Sequence, residues 1–195
     1  MFTGIIENTG VVTDIISSGN NISFWIESTI SDELTIDQSV SHNGVCLTVE
    51  EIHHGQHKVT AIQETLQKTN LNHWKKNLVV NLERCLQMNG RLDGHLVQGH
   101  VDTIASCIEI VEKGGSWEYL FQFDAKFASL VIEKGSITIN GISLTIFDLT
   151  KKSFRVAIIP YTFEHTNMQY LSIGDEVNIE FDMIGKYINR LMELK

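Results

Sequence analysis

Two blocks of the chain carry candidate nucleophiles in the same frame. Residues 39–49 read SVSHNGVCLTV, and residues 136–146, an offset of 97, read SITINGISLTI. Five positions are identical: Ser39/Ser136, Asn43/Asn140, Gly44/Gly141, Leu47/Leu144 and Thr48/Thr145. Within this shared frame a thiol, Cys46, stands where the second block has a hydroxyl, Ser143. Thiolate and alkoxide nucleophiles both need a base or a lowered pKa, so either residue requires a partner to be reactive. On spacing alone a single cysteine with apolar neighbours reads as core packing. Of the histidines, His53, His54 and His57 surround Gly55 with no thiol or carboxylate at ligand spacing, which reads as a solvated turn. His95 and His100 lie five apart in GHLVQGH, which suits a strand or loop and no helical ligand pair. No phosphate loop, dinucleotide fingerprint or Ser/His/Asp arrangement occurs.

Both blocks need a scaffold that presents them alike. Apolar alternation on either side of Asn-Gly makes each block a pair of β-strands joined by a tight turn, because Asn and Gly tolerate positive φ. The repeat continues at the same offset. Ile62-Gln63-Glu64-Thr65-Leu66 matches Ile159-Pro160-Tyr161-Thr162-Phe163, Thr69-Asn70-Leu71 matches Thr166-Asn167-Met168, and Val80-Asn81-Leu82-Glu83 matches Val177-Asn178-Ile179-Glu180. Gly4-Ile5-Ile6 matches Gly99-His100-Val101 at an offset of 95, so the halves differ there by two residues. A period this long is a duplicated domain. Strands are expected over residues 9–16, 21–27, 50–57, 58–62 and 78–83 and, in the second half, over 101–111 and 117–123, with a linker at 90–94. Helical turns are expected over 29–34, capped by Ser31 or Asp32, over 65–74, and over 124–133 with Asp124 as cap and Gly135 beyond its end. Strands at this spacing predict an all-β fold of two tandem antiparallel barrels of about six strands each.

Beyond Asp182 the repeat stops. Ile184, Tyr187, Ile188, Leu191 and Met192 recur at helical spacing, which predicts an amphipathic helix capped by Asp182 and free to pack on another subunit. The 195 residues divide as 1–93, 94–181 and 182–195. A hydrophobic fraction of 43% is that of a soluble globular protein, and no apolar run approaches the roughly 20 residues that span a bilayer. The start MFTG lacks the basic and apolar regions of a signal peptide. Three cysteines without CxxC spacing suit reduced thiols in the cytosol. A net charge of −9 argues against binding a nucleic-acid backbone.

The start MFTGIIE, the blocks NGVCLTV and NGISLT, the run DGHLVQGHVD and the ending VNIEFDMIGKYINRL together resemble the riboflavin synthase family of the α-subunit type, lumazine-binding proteins built as duplicated barrels. The likeness covers essentially the whole chain, in order. It implies two six-stranded Greek-key barrels and a cytoplasmic homotrimer held by the C-terminal helices. Each active site would lie between the N-terminal barrel of one subunit and the C-terminal barrel of its neighbour. Two molecules of 6,7-dimethyl-8-ribityllumazine would bind there, and a four-carbon unit would pass between them to give riboflavin and 5-amino-6-ribitylaminouracil. No cofactor or metal is implied; an association with lumazine synthase is.

Carried over by motif, Gly4, Ile5, Ile6, Cys46, Leu47, Thr48, Thr60, Ala61, Ile62, Gln63, Glu64 and Thr65 are expected to line the N-barrel pocket. Gly99, His100, Val101, Lys134, Ser143, Leu144, Thr145, Ile158, Ile159, Pro160, Tyr161, Thr162 and Phe163 are expected to line the C-barrel pocket. Ser39, Cys46, His100, Ser143, Thr145 and Asp182 resemble the family's catalytic polar residues. His100 would carry protons near neutral pH, Cys46 or Ser39 would be the nucleophile or its helper, and Asp182 reads equally as a catalytic group or a helix cap. The pockets differ at Cys46 against Ser143 and at Ile5 against His100. One substrate must lose a C7-methyl proton and the other be attacked at C7, so unlike pockets suit the reaction. The alternative is a non-catalytic antenna protein of the same fold. Polar groups in both halves argue for the enzyme.

Overall fold

A computed structural model describes residues 1–194. The first half forms β1 (Asn8–Ser18), β2 (Asn21–Glu27), β3 (Ser39–His42), β4 (Val45–His53), β5 (Gln56–Ala61), helix α1 (Gln63–Lys68) and β6 (Val79–Arg84). The second half repeats this order as β7 (Thr103–Glu112), β8 (Trp117–Gln122), β9 (Ser136–Ile139), β10 (Ile142–Phe147), β11 (Ser153–Ile158), helix α2 (Pro160–His165) and β12 (Glu176–Phe181). Helix α3 (Met183–Glu193) follows. Each half closes into a six-stranded antiparallel barrel, β1-β2-β5-β4-β3-β6 and β10-β11-β8-β7-β12-β9, with the same Greek-key crossing in both. Bulges between Val12 and Asp14, Val49 and Glu51, and Cys107 and Glu109 add the local twist that closing a small barrel requires.

The Asn-Gly turns have the geometry their residue types favour. Asn43 and Gly44 have φ of 47° and 81°, and Asn140 and Gly141 have 45° and 83°. The two tips meet back to back. A Cβ on Gly44 would lie 2.8 Å from the Gly141 nitrogen, and one on Gly141 would lie 2.9 Å from the Gly44 nitrogen. Around them buried asparagines tie the barrels together in matched pairs. Asn81 Nδ2 donates to the Asn140 carbonyl and Asn178 Nδ2 to the Asn43 carbonyl, each at 2.9 Å. The backbone N–H of Asn70 donates to Asn178 Oδ1 at 2.8 Å, and that of Asn167 to Asn81 Oδ1 at 2.7 Å.

Both barrel interiors are apolar, with Val12, Phe24, Ile26, Val40 and Leu82 in the first and Phe121, Ile139, Phe154 and Phe181 in the second. The first also buries two imidazoles. His57 is fully enclosed, not solvated as its neighbours His53 and His54 are, because alternation along β5 turns it inward with Val59 and Ala61. Its Nε2 faces His42 Nε2 at 2.9 Å, and its Nδ1 meets Ser31 Oγ at 2.8 Å.

The helical turns are shorter than sequence predicts. Residues 29–34 give a 3-10 turn at Ser31–Glu33, in which Ser31 serves His57 rather than capping. Residues 65–74 split into α1 and a 3-10 turn at Asn70–His73. Residues 124–133 give a 3-10 helix at Ala125–Leu130, with Asp124 Oδ1 accepting from the Lys126 N–H. Asp182 does cap α3, accepting from the Ile184 N–H at 3.0 Å. Lys195, the last residue of the expected tail segment, lies outside the described residues. Among the described residues no helix is long and apolar enough to cross a membrane.

Candidate active site

The same opening occurs in each barrel wall. Strands β4 and β5 pair as far as Val49 opposite Val59. Continuing that register would set Thr48 opposite Thr60, Leu47 opposite Ala61 and Cys46 opposite Ile62, and none of these pairs forms. In the second barrel β10 and β11 pair only at Ile146 with Val156 and Phe147 with Arg155, so Ser143, Leu144 and Thr145 are left facing an equally open wall. Each slot therefore has an unpaired strand edge on one side. The chain that runs from the barrel into α1 or α2 forms the other side, beginning with half-exposed Ile62 or Ile159. A free edge offers backbone N–H and C=O groups in alternation, the pattern a flat imide-bearing ring can pair with. Beside the second slot, Phe163 of α2 stacks on Trp117 at 3.7 Å, fixing the helix to the barrel.

A glycine loop closes one end of each slot, and it comes from the other half of the chain. The Cys46 N–H donates to the Gly99 carbonyl at 2.9 Å, and the Ser143 N–H donates to the Gly4 carbonyl at 2.7 Å. Neither glycine tolerates a side chain. Their φ values are 78° and 77°, and an added Cβ would sit 2.6 Å from the Cβ of Cys46 or of Ser143. Val101 packs on the first barrel's core and Ile6 on the second's. The expected assignment is thus exchanged: Gly99, His100 and Val101 serve the N-barrel slot, while Gly4, Ile5 and Ile6 serve the C-barrel slot. The crossing occurs because both segments leave their barrels before the first strand and pair with each other, Phe2 with Val97, between the two slots.

The polar equipment of the slots differs. In the N-barrel slot Cys46 and Thr48 point outward from β4, Ser39 lies opposite Thr48, and Thr60 bonds Ser23 and Glu50. Burial pushes the Cys46 thiol up, and the nearby Ser39 hydroxyl acts in the opposite direction. His100 follows Gly99 in the loop that closes this slot; it is exposed, and its backbone N–H donates to Glu180. In the C-barrel slot the outward residues are Ser143 and Thr145. Ser143 Oγ lies 2.7 Å from His95 Nδ1, and His95 Nε2 lies 3.2 Å from Thr138 Oγ1. Burial pushes the His95 imidazole down, against the charge of Asp182, which raises it. A neutral ring beside a hydroxyl can accept its proton, and the Ser143–His95 contact has the geometry for that. His95 was not among the expected site residues. It has no counterpart in the first half, and only its place in the DGHLVQGH run pointed to it.

Lys134 places its Nζ 5.4 Å from the Phe147 ring, on the outer face of β10 that carries Ser143 and Thr145. A cavity of about 260 Å³ between the start of the chain and α2 brings Ile6 and Tyr161 together. A larger one, about 610 Å³, opens at the asparagine cluster between Trp74 and Tyr170 and touches none of the expected site residues. Among the described residues no cluster of three or more His, Cys, Asp or Glu could hold a metal ion.

The lumazine binding domain family matches the chain twice, over residues 3–85 and 98–182. The riboflavin synthase of Bacillus subtilis is 41% identical over 193 residues, covering 98% of this chain and 90% of that protein. The chain belongs to the riboflavin synthase family. The enzyme of that name from Actinobacillus pleuropneumoniae is 42% identical with the same coverage, and that of Saccharomyces cerevisiae is 38% identical over 97% of this chain and 85% of that one. The fold recurs in crystal structures of LumP complexed with riboflavin, at a TM-score of 0.86 and 21% identity, and with 6,7-dimethyl-8-(1'-D-ribityl) lumazine, at 0.85 and 20%. Each covers 93% of this chain and 99% of that one. The two matched segments correspond to the two barrels, and each barrel carries one slot.

Proposed function

We propose that the chain is a riboflavin synthase that joins two molecules of 6,7-dimethyl-8-ribityllumazine by transfer of a four-carbon unit, releasing riboflavin and 5-amino-6-ribitylaminouracil. The observation that carries this reading is the doubled slot with unlike polar groups, Cys46 in one and the Ser143–His95 pair in the other. Two identical substrates must play opposite parts, one giving up a C7-methyl proton and the other accepting a nucleophile at C7. Similar slots bind the shared ring, and different side chains divide the roles. Each flat ring pairs through its imide edge with a free strand edge, whose backbone groups stabilise the anion left by proton loss. Ser143, relayed to His95, suits the proton transfer; Cys46 with Ser39 suits the nucleophilic side. Thr48 and Thr145 offer hydroxyls at the two strand edges, and His100 brings an imidazole to the Cys46 slot. Asp182 contributes by capping α3 and by its charge toward His95.

The paired Phe2 and Val97 segments join the loop that closes on Cys46 to the loop that closes on Ser143, which supports a site shared between protomers over one within a single chain. A site holding both substrates is therefore assembled from the N-barrel of one protomer and the C-barrel of another, in a cytoplasmic homotrimer. What supports that assembly is α3, whose Ile184, Tyr187, Ile188, Leu191 and Met192 are 58–67% exposed in the single chain. An exposed apolar stripe of this kind marks an interaction surface. The division into segments 1–93, 94–181 and 182–195, and docking of the trimer with lumazine synthase, belong to the same proposal.

The solved LumP relatives bind riboflavin and the lumazine, which leaves a non-catalytic binder as the second reading. Incubation with 6,7-dimethyl-8-ribityllumazine separates the two. The enzyme consumes two lumazines per riboflavin and releases one 5-amino-6-ribitylaminouracil. Binding without turnover would overturn the proposal.

A further inference from the structure

Two buried carboxylates, neither among the expected site residues, fix the loops that close the slots. Glu83 on β6 is 5% exposed and accepts from the Thr3 N–H and Thr3 Oγ1, both at 2.7 Å, and from the Gly4 N–H at 3.0 Å. Glu180 on β12 is 2% exposed and accepts from the N–H groups of Gln98, Gly99 and His100 at 2.7, 2.9 and 2.9 Å. Positive φ at Gly4 and Gly99 turns successive N–H groups toward one anion, as in a backbone nest. Each carboxylate thus holds a loop whose carbonyl then binds the opposite barrel. Glu180 belongs to the barrel of Ser143, yet the loop it holds closes on Cys46. Glu83 belongs to the barrel of Cys46, yet its loop closes on Ser143.

We propose that Glu83 and Glu180 are positioning residues acting crosswise: Glu180 sets the N-barrel slot around Cys46 and His100, and Glu83 sets the C-barrel slot around Ser143. The significance for catalysis rests on the function proposed above; the geometry does not. An ionised carboxylate is the one side chain that accepts from three converging donors with no hydrogen of its own. A carboxamide in its place turns an NH₂ group toward backbone N–H donors and releases the loop. Hydrogen bonds to charged groups are worth enough for a change of about 10- to 100-fold in a rate that depends on the loop.

The test uses the full chain carrying Glu180→Gln or Glu83→Gln, with alkylation of Cys46 by iodoacetamide followed by peptide mass spectrometry. This readout needs no substrate. Glu180→Gln should raise the Cys46 alkylation rate about tenfold, because the Gly99 loop lies against the thiol-bearing carbon, while Glu83→Gln should leave it within about twofold. Both should lower kcat for riboflavin formation more than they raise KM. If Glu180→Gln does not fold, Glu180→Asp keeps the charge but withdraws its reach, and should shift Cys46 in the same direction by less. A Cys46 response to Glu83→Gln alone, an equal response to both, or none to either overturns the proposal. A crosswise response in a protein that forms no riboflavin would uphold it and overturn the assigned activity instead.

Discussion

Replacing His42 by Ile, His57 by Phe and Ser31 by Ala would give the first barrel the core that the second already has, since Ile139 and Phe154 occupy the repeat positions of the two imidazoles. The Val40 carbonyl can only accept, so His42 carries its hydrogen on Nδ1, 3.0 Å away, and its Nε2 accepts from His57. The His57 Nδ1 then accepts from Ser31. Every nitrogen is satisfied while both rings are neutral; protonating His42 sets two N–H groups against each other, and protonating His57 reverses its bond to Ser31 and leaves a charge in an apolar interior. Burial pushes His42 well below the usual histidine value, with His57 adding to the effect, and burial brings His57 down to about 4. The unfolded chain, with values near 6.5, binds more protons between about pH 4 and 6.5, so stability falls as pH falls through that window. For His57 alone the loss is about 2 kcal/mol at pH 5 and about 3 kcal/mol at pH 4, and His42 adds in the same direction. At pH 7.5 the triple variant should lie close to the parent, because all partners are replaced together. Urea unfolding followed by Trp25 and Trp74 fluorescence measures this. Between pH 7.5 and 5 the parent should lose at least about 2 kcal/mol more than the variant. Equal losses would refute the account of the imidazole pair.

Three further outcomes follow from the slots and the tail. Cys46→Ser should make the first slot resemble the second and lower kcat more than it weakens lumazine binding; a loss of affinity with kcat intact would make Cys46 a wall. His95→Asn should slow turnover about 10²-fold or more. Because burial lowers its pKa, the neutral form persists below the usual histidine range, so the acid limb of the parent's kcat profile should fall below about pH 6.5. Ile188→Asp with Leu191→Asp removes about 3–6 kcal/mol of apolar burial per subunit from a helix interface. Sedimentation should then show smaller species with intact β-rich circular dichroism and almost no riboflavin formed, whereas an unchanged trimer would locate the interface elsewhere.

The barrels, both hairpins and α3 were legible because each follows from a local period or a turn residue, and the repeat tested each reading twice. The exchange of the Gly4 and Gly99 loops was not. A repeat shows which residues are equivalent, but not which barrel a segment touches once it has left its own. Glu83, Glu180, Asn81 and Asn178 were visible as polar identities within otherwise apolar strands, and an ionisable or amide group repeated there signals a buried partner. His57 was read from its polar neighbours, although the alternation of Gln56, His57, Lys58 and Val59 already set it on Val59's face. The 3-10 helix at Ala125–Leu130 stops short of the expected end, and Lys134, at a φ of 63°, turns the chain into β9.

The asparagine cluster also bears on how the halves could diverge. It is an isologous contact closed within one polypeptide, in which Gly44 meets its copy Gly141 and the bond from Asn81 to Asn140 is returned by the one from Asn178 to Asn43. A change at Asn43, Gly44, Asn70 or Asn81 must suit the partner's half of the same bond, so these positions stayed matched with Asn140, Gly141, Asn167 and Asn178. The slots lie off that axis and carry no such reciprocity, which left Cys46 and Ser143 free to become different. Each half consequently bears a face complementary to its own copy, and a duplicated gene could keep an ancestral pairing while its two products took on separate tasks.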